Sequence, residues 1–210
     1  MKKIIFILFL LLPSIVFAYE NEYFKIDIDD TYNEVSVNNT TYIWTSKETN
    51  DLPIITINIS NNERQNLHNY KEYNEKDIEN YKQALKNEFN KELNKYDIQT
   101  NINTIKKVTI NNLPSIYYEA FSDTKDIYGY DIYQYNYSFT TSNYISSITY
   151  SSDKKSNELE QIIKSFEIKD TAIESKTFFE DKNNIIFISG ISIGILLFII
   201  SELIKKRKSV

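Results

Sequence analysis

Cysteine is absent from the 210 residues, so neither disulfides nor thiolate metal sites hold this chain together. Without them the fold depends on its hydrophobic core, and a chain of this length can bury one large enough. Histidine occurs once, as His68, in a polar stretch beside Asn69 and Tyr70. With no second histidine and no thiol, nucleophilic catalysis would need a serine–lysine pair or paired carboxylates. No serine sits in a nucleophile-elbow motif. Glycine and proline number three each, while Asn, Lys, Ile and Tyr are heavily used, a bias that points to an AT-rich Gram-positive genome. The tyrosines therefore carry less weight as evidence of binding than their number suggests.

Cationic charge is also scarce once the ends of the chain are set aside. The formal charge is -5, and removing Lys2, Lys3, Lys205, Lys206, Arg207, Lys208 and the anion Glu202 brings it to -10. A central region so acidic repels phosphate backbones, which excludes nucleic acid as a partner.

Both ends are apolar. "MKKIIFILFLLLPSIVFAYE" has a basic start, an apolar run to Leu12, a break at Pro13 and compact residues up to Ala18. This is the pattern of a secretory signal cleaved after Ala18, and no cysteine follows to make a lipoprotein. At the other end, Ile185 to Ser201 carries no charge, and a basic cluster follows at 205–208. That reads as a short membrane span with its tail in the cytoplasm. No LPxTG-like motif precedes it. The expected order is a signal peptide (1–18), an extracellular domain (19–169), a polar stem (170–184), a membrane helix (185–204) and a basic tail (205–210). Gly190 and Gly194 stand at GxxxG spacing, which would let two spans pack into a homodimer.

Within the domain, Phe24, Ile26 and Ile28 alternate with Lys25, Asp27 and Asp29 as in a half-buried strand. "TYIWTS" (41–46) and "IITINIS" (54–60) read as two more strands, and 61–75 reads as a loop. Ile78, Tyr81, Leu85, Phe89, Leu93 and Tyr96 then recur at helical spacing, the apolar stripe of a core-packing helix. "TIKKVTI" (104–110), an Asn111–Asn112 turn tolerant of positive φ, and "SIYYEAF" (115–121) follow. "YGYDIYQYNYSF" (128–139) and "NYISSITYSS" (143–152) form a further hairpin. Leu159, Ile162, Ile163 and Phe166 mark a closing helix that Ser152 or Asp153 could cap.

In the aromatic hairpin, a loop around Thr141–Ser142 pairs Tyr133 with Tyr150, Tyr135 with Ile148 and Tyr137 with Ser146. One face is then aromatic and aliphatic, and the other, with Gln134, Asn136, Ser147 and Thr149, is polar. The expectation is a buried aromatic face and a wet polar one. The more open tyrosines are Tyr128 and Tyr130, on either side of the domain's lone glycine, and these are the candidate contacts for a ligand or partner. Acidic clusters at Asp27–Asp30 and Asp123–Asp131 lack EF-hand spacing, and no metal or cofactor is expected.

Strands, a helix, an antiparallel meander and a closing helix make an α+β domain. The stretches "YFKIDID", "KKVTINNLPSIYYEAF", "YDIYQYNYSF…NYISSITY" and "LEQIIKSFEIK" resemble the PsbP-like family, which includes the DcrB-like exported proteins. The resemblance spans about Tyr23 to Lys169. The Pro and Trp common after the family's first strand are missing from "DDTYNEV", and Asn112 stands where a turn glycine is common. What the resemblance implies is an antiparallel β-sheet covered by helices, an α/β/α sandwich, with an accessory binding or assembly role and no shared catalytic residues. The chain is thus expected to be a non-enzymatic, membrane-tethered surface module that binds a protein or envelope component. The alternative is a carbohydrate-binding or sensing module.

Overall fold

The computed structural model describes residues 17–38, 40–49, 52–61 and 70–171. Residues 1–16, His68 and the 185–204 stretch with Gly190 and Gly194 lie outside the described residues. Among the described residues, no helix is long and apolar enough to cross a membrane.

A seven-stranded sheet, ordered β3-β4-β5-β9-β8-β7-β6, forms the middle layer. Its strands are β3 (Tyr32–Val37), β4 (Thr41–Ser46), β5 (Ile54–Asn61), β6 (Gln99–Ile110), β7 (Leu113–Asp123), β8 (Ile132–Thr140) and β9 (Tyr144–Ser152). A second sheet joins β1 (Phe17–Glu20), β2 (Phe24–Ile28) and β10 (Glu167–Ile168), in the order β1-β2-β10. Every strand pair is antiparallel. Strands β1, β3 and β10 were not legible beforehand: two are very short, and none alternates cleanly. Phe17 and Ala18, the end of the expected leader, pair with Ile28 and Asp27.

Helix α1 (Glu75–Leu93) covers one face of the large sheet. Asn74 starts it: its side-chain oxygen accepts from the N–H groups of Lys76 and Asp77, and Asp77 accepts from Asn74 N–H in return. This reciprocal box satisfies donors the helix itself cannot. Tyr81, Leu85, Phe89 and Leu93 are wholly buried. The stripe stops one turn earlier than its spacing suggested. Asn94–Tyr96 tightens into a 3-10 turn, Asp97 takes a left-handed φ of 57°, and Tyr96 is 41% exposed. Within 61–75, expected to be loop, Tyr70–Glu72 is a 3-10 turn that buries Tyr70.

Helix α3 (Glu158–Ser165) and the small sheet cover the other face. Its first residue is not capped by Ser152 or Asp153, because the chain turns through 153–157 first. Ser156 Oγ accepts the Glu158 N–H instead. A single short turn, α2 (Lys125–Tyr128), sits between β7 and β8. The Asn111–Asn112 turn takes φ of 46° and 68°, as its residues allow.

The β8–β9 hairpin corrects the expected register. Tyr135 pairs with Tyr150, Tyr137 with Ile148 and Phe139 with Ser146. Each partner is two residues later than expected, because the turn is centred on Ser142–Asn143 and closed by Thr141 N–H on Tyr144 O. A two-residue shift preserves which residues share a face, so the aromatic row is still buried.

The polar face is not wet. Gln134, Asn136, Ser138, Ser147, Thr149 and Ser151 are all at most 2% exposed, on the side covered by α1. Asn136 Nδ2 donates to Thr149 Oγ1 at 2.7 Å, and Ser138 Oγ donates to Asn136 Oδ1 at 2.7 Å. The sheet is covered on both sides, and alternation distinguishes two faces without showing which one meets water.

The chain leaves the domain along the hairpin turn. Asp170 accepts from Asn143 N–H at 2.8 Å and from Asn143 Nδ2 at 2.9 Å, and Ser142 N–H donates to Thr171 O at 3.0 Å. Lys169 N–H donates to Tyr23 O at 2.7 Å. Partial burial raises the Asp170 carboxyl, but hydrogen bonds from Thr141, Asn143 and Thr171 together hold it below its ordinary value.

Candidate functional site

Tyrosine hydroxyls on the aromatic face of the sheet find polar partners, most of them at the start of α3. Tyr150 OH donates to Glu158 Oε2 at 2.7 Å and Tyr32 OH donates to Oε1 of the same carboxylate at 2.5 Å. Tyr135 OH accepts the Ser156 N–H at 3.0 Å, and Tyr117 OH donates to Glu119 Oε1 at 2.9 Å. Tyrosine rather than phenylalanine is used because these rings reach the rim of the layer, where polar partners stand. Tyr135, with Tyr150 and Tyr32, fastens the start of α3 to the sheet, and along the row Tyr135, Tyr137 and Phe139 are buried while Tyr133 is half-buried.

This network predicts an alkaline limit. Burial, reinforced by the negative charge of Glu160 and Glu119, pushes Tyr137 up to about 12. Burial likewise pushes Tyr150 to about 12, opposed by Ser156 and reinforced by Glu158. Burial and the Glu158 hydrogen bond raise Tyr32 as well. Unfolded tyrosines ionise near pH 10, so the stabilising effect of these neutral phenols is whole below that pH. It is lost as pH rises toward about 12. The urea midpoint is expected to fall above pH 10, with tyrosinate absorbance rising together with unfolding. Smooth titration of every tyrosine near pH 10 in a folded domain would contradict this network.

Tyr128 and Tyr130 flank Gly129, whose φ of 85° ends α2 in a left-handed turn. Their rings lie 6.5 Å apart, tilted by 33°. Both are half-buried and pack against the core beneath α1. Thr124 Oγ1 donates to Tyr130 O at 2.7 Å, which fixes the loop. The sequence brought these two rings to notice, and the fold does bring them together, against the core.

A third place has no motif in the sequence to mark it. A cleft of about 760 Å3 opens between the first half of α1 and β6, the last strand of the large sheet. Glu75, Ile78, Glu79 and Lys82 line the helix wall, and Asn103 to Lys107 line the strand wall. A bulge between Ile102 and Thr104 changes which residues face the helix. Ile105 packs toward α1, and Lys107 Nζ donates to Tyr73 O at 2.6 Å and Lys71 O at 2.9 Å. Lys106 points to the other face, its ammonium 5.1 Å from the centre of the Tyr117 ring. The adjacent lysines in "TIKKVTI" were the available sign, but that β6 is an edge is a property of topology. Among the described residues, no three His, Asp or Glu side chains converge as metal ligands do. Asp29 is engaged locally, its carboxylate accepting from Thr31 N–H at 2.9 Å.

No protein-family model matches the chain, and no curated protein is similar to it in sequence. Solved structures are similar in shape. The solution structure of cyanobacterial PsbP (CyanoP) from Synechocystis sp. PCC 6803 aligns with a TM-score of 0.54 at 8% identity. The alignment covers 75% of this chain and 95% of that one. The fold is PsbP-like. A crystal structure from Bacteroides thetaiotaomicron VPI-5482 aligns with a TM-score of 0.44 at 14% identity, over 70% of this chain and 45% of the other. At such identities a PsbP-like chain shares an architecture, and its site has to be argued from its own residues.

Proposed function

We propose that the chain is a non-enzymatic module, tethered outside the cell membrane by the 185–204 stretch, that binds a protein or envelope component. The observation that carries this reading is the open cleft along an edge strand, lined by both signs of charge. Mixed polar and apolar walls suit recognition of a partner. Among the described tyrosines Tyr96 alone is exposed, and one exposed ring makes no stacking platform, which favours the cleft over the carbohydrate reading.

The test places a photo-crosslinking amino acid at Glu79, in the cleft, or at Asp30, outside it, in the full-length chain in native membranes. Envelope adducts are expected from position 79 and not from position 30. Adducts from neither position would remove the reading, and adducts from position 30 alone would move the binding surface elsewhere.

A further inference from the structure

Among the described residues, no strand pairs with the outer edge of β6, which runs beside the groove. In the stretch from Thr104 to Ile110, after the bulge, no proline interrupts the strand. Natural edge strands that carry lysines and bulges resist indiscriminate pairing. Here those devices also define which strand could pair. Two copies joined edge to edge around Lys106 and Lys107 would set lysine opposite lysine, which is unfavourable.

We infer that β6 takes up an extended segment of a partner protein as an eighth strand, with an acidic side chain opposite Lys106. This rests on the binding-module reading and names its partner chemistry. Main-chain hydrogen bonds to the open edge supply affinity, and alternate side chains supply selectivity. On the α1 side the incoming strand meets Ile78 and Ile105 between charges of both signs, Glu75 and Glu79 against Lys82 and Lys107, so its residues there are apolar or neutral. On the other side it meets Lys106. The overall negative charge does not cancel this preference, because exposed charges beyond about 8 Å are screened at physiological salt.

The probe is a blocked nine-residue peptide alternating threonine with valine and carrying one central glutamate. Its affinity is measured by fluorescence anisotropy against the full-length chain in nanodiscs. The glutamate peptide is expected to bind at least ten times more tightly than the same peptide with a central lysine. N-methylation of alternate peptide nitrogens, on the edge-facing side, is expected to abolish binding. Lys106→Glu, at an exposed position that leaves the fold intact, is expected to reverse the order of the two peptides, and Lys106→Gln to level it. Equal binding of both peptides, no binding of either, or indifference to Lys106→Glu overturns the inference. Crosslinks from position 79 that survive Lys106→Glu would overturn it too, while leaving the binding-module reading intact.

Discussion

Phe89→Ala is expected to destabilise the domain by about 3–5 kcal/mol, the usual range for emptying a large buried aromatic site. Phe89 is wholly buried between α1 and the sheet, 6.5 Å ring to ring from Tyr118. Its neighbours Leu85 and Leu93, one turn to either side, are wholly buried too. That helix cannot easily settle into the space, because the capping box at Asn74 fixes its start. The change would be read as a lower urea midpoint at unchanged slope. Lys91→Ala, on the outer face with its side chain 68% exposed, is expected to move the midpoint hardly at all. Equal effects of the two would mean that α1 is not a core helix.

Asn136→Asp should be comparably severe, by a different route. Asn136 is wholly buried and uses both ends of its amide, donating to Thr149 and accepting from Ser138. An aspartate there keeps the acceptor but loses the donor, and places a carboxylate beside the hydroxyls of Thr149 and Ser138 with no cation paired to it among the described residues. About 3 kcal/mol or more is expected at neutral pH. Burial raises the folded pKa of such a carboxyl above the unfolded value near 3.9. The folded state then holds its proton longer, so the variant is most stable in acid and loses stability as pH rises through and above 4. The measurement is the difference in unfolding free energy from the unaltered chain at pH 3.5 and pH 7. A penalty that is the same at both would show the site to be wetter than its burial implies.

These two substitutions mark the limits of what a sequence reveals. Phe89 announces itself, since apolar residues at three- and four-residue steps have one packing solution in a soluble domain. Asn111 and Asn112 are legible for the same local reason: few residues tolerate their backbone. Asn136 is not. Its polar neighbours alternate with the aromatic row, as they would on a solvated face. Only the position of α1 turns that face inward. The hairpin register missed by two residues because either of two adjacent dipeptides can centre the turn, and both choices bury the same side. The cleft escaped notice for a topological reason. Lys106 and Lys107 look like ordinary strand punctuation until β6 is known to be the last strand and a bulge is known to reset its faces.

The exit of the chain has a mechanical meaning. Lys169 is hydrogen-bonded to Tyr23, just ahead of β2 in the small sheet, and Asp170 and Thr171 to the β8–β9 turn of the large one. In the large sheet, β8 and β9 are inner strands, flanked by β7 and β5. Tension arriving at Thr171 would therefore enter both sheets together, near the middle of the large one and away from its ends. In the membrane-tethered arrangement we propose, the pull would act at the centre of pairing, and β3 and β6, the end strands of the large sheet, would not take it first.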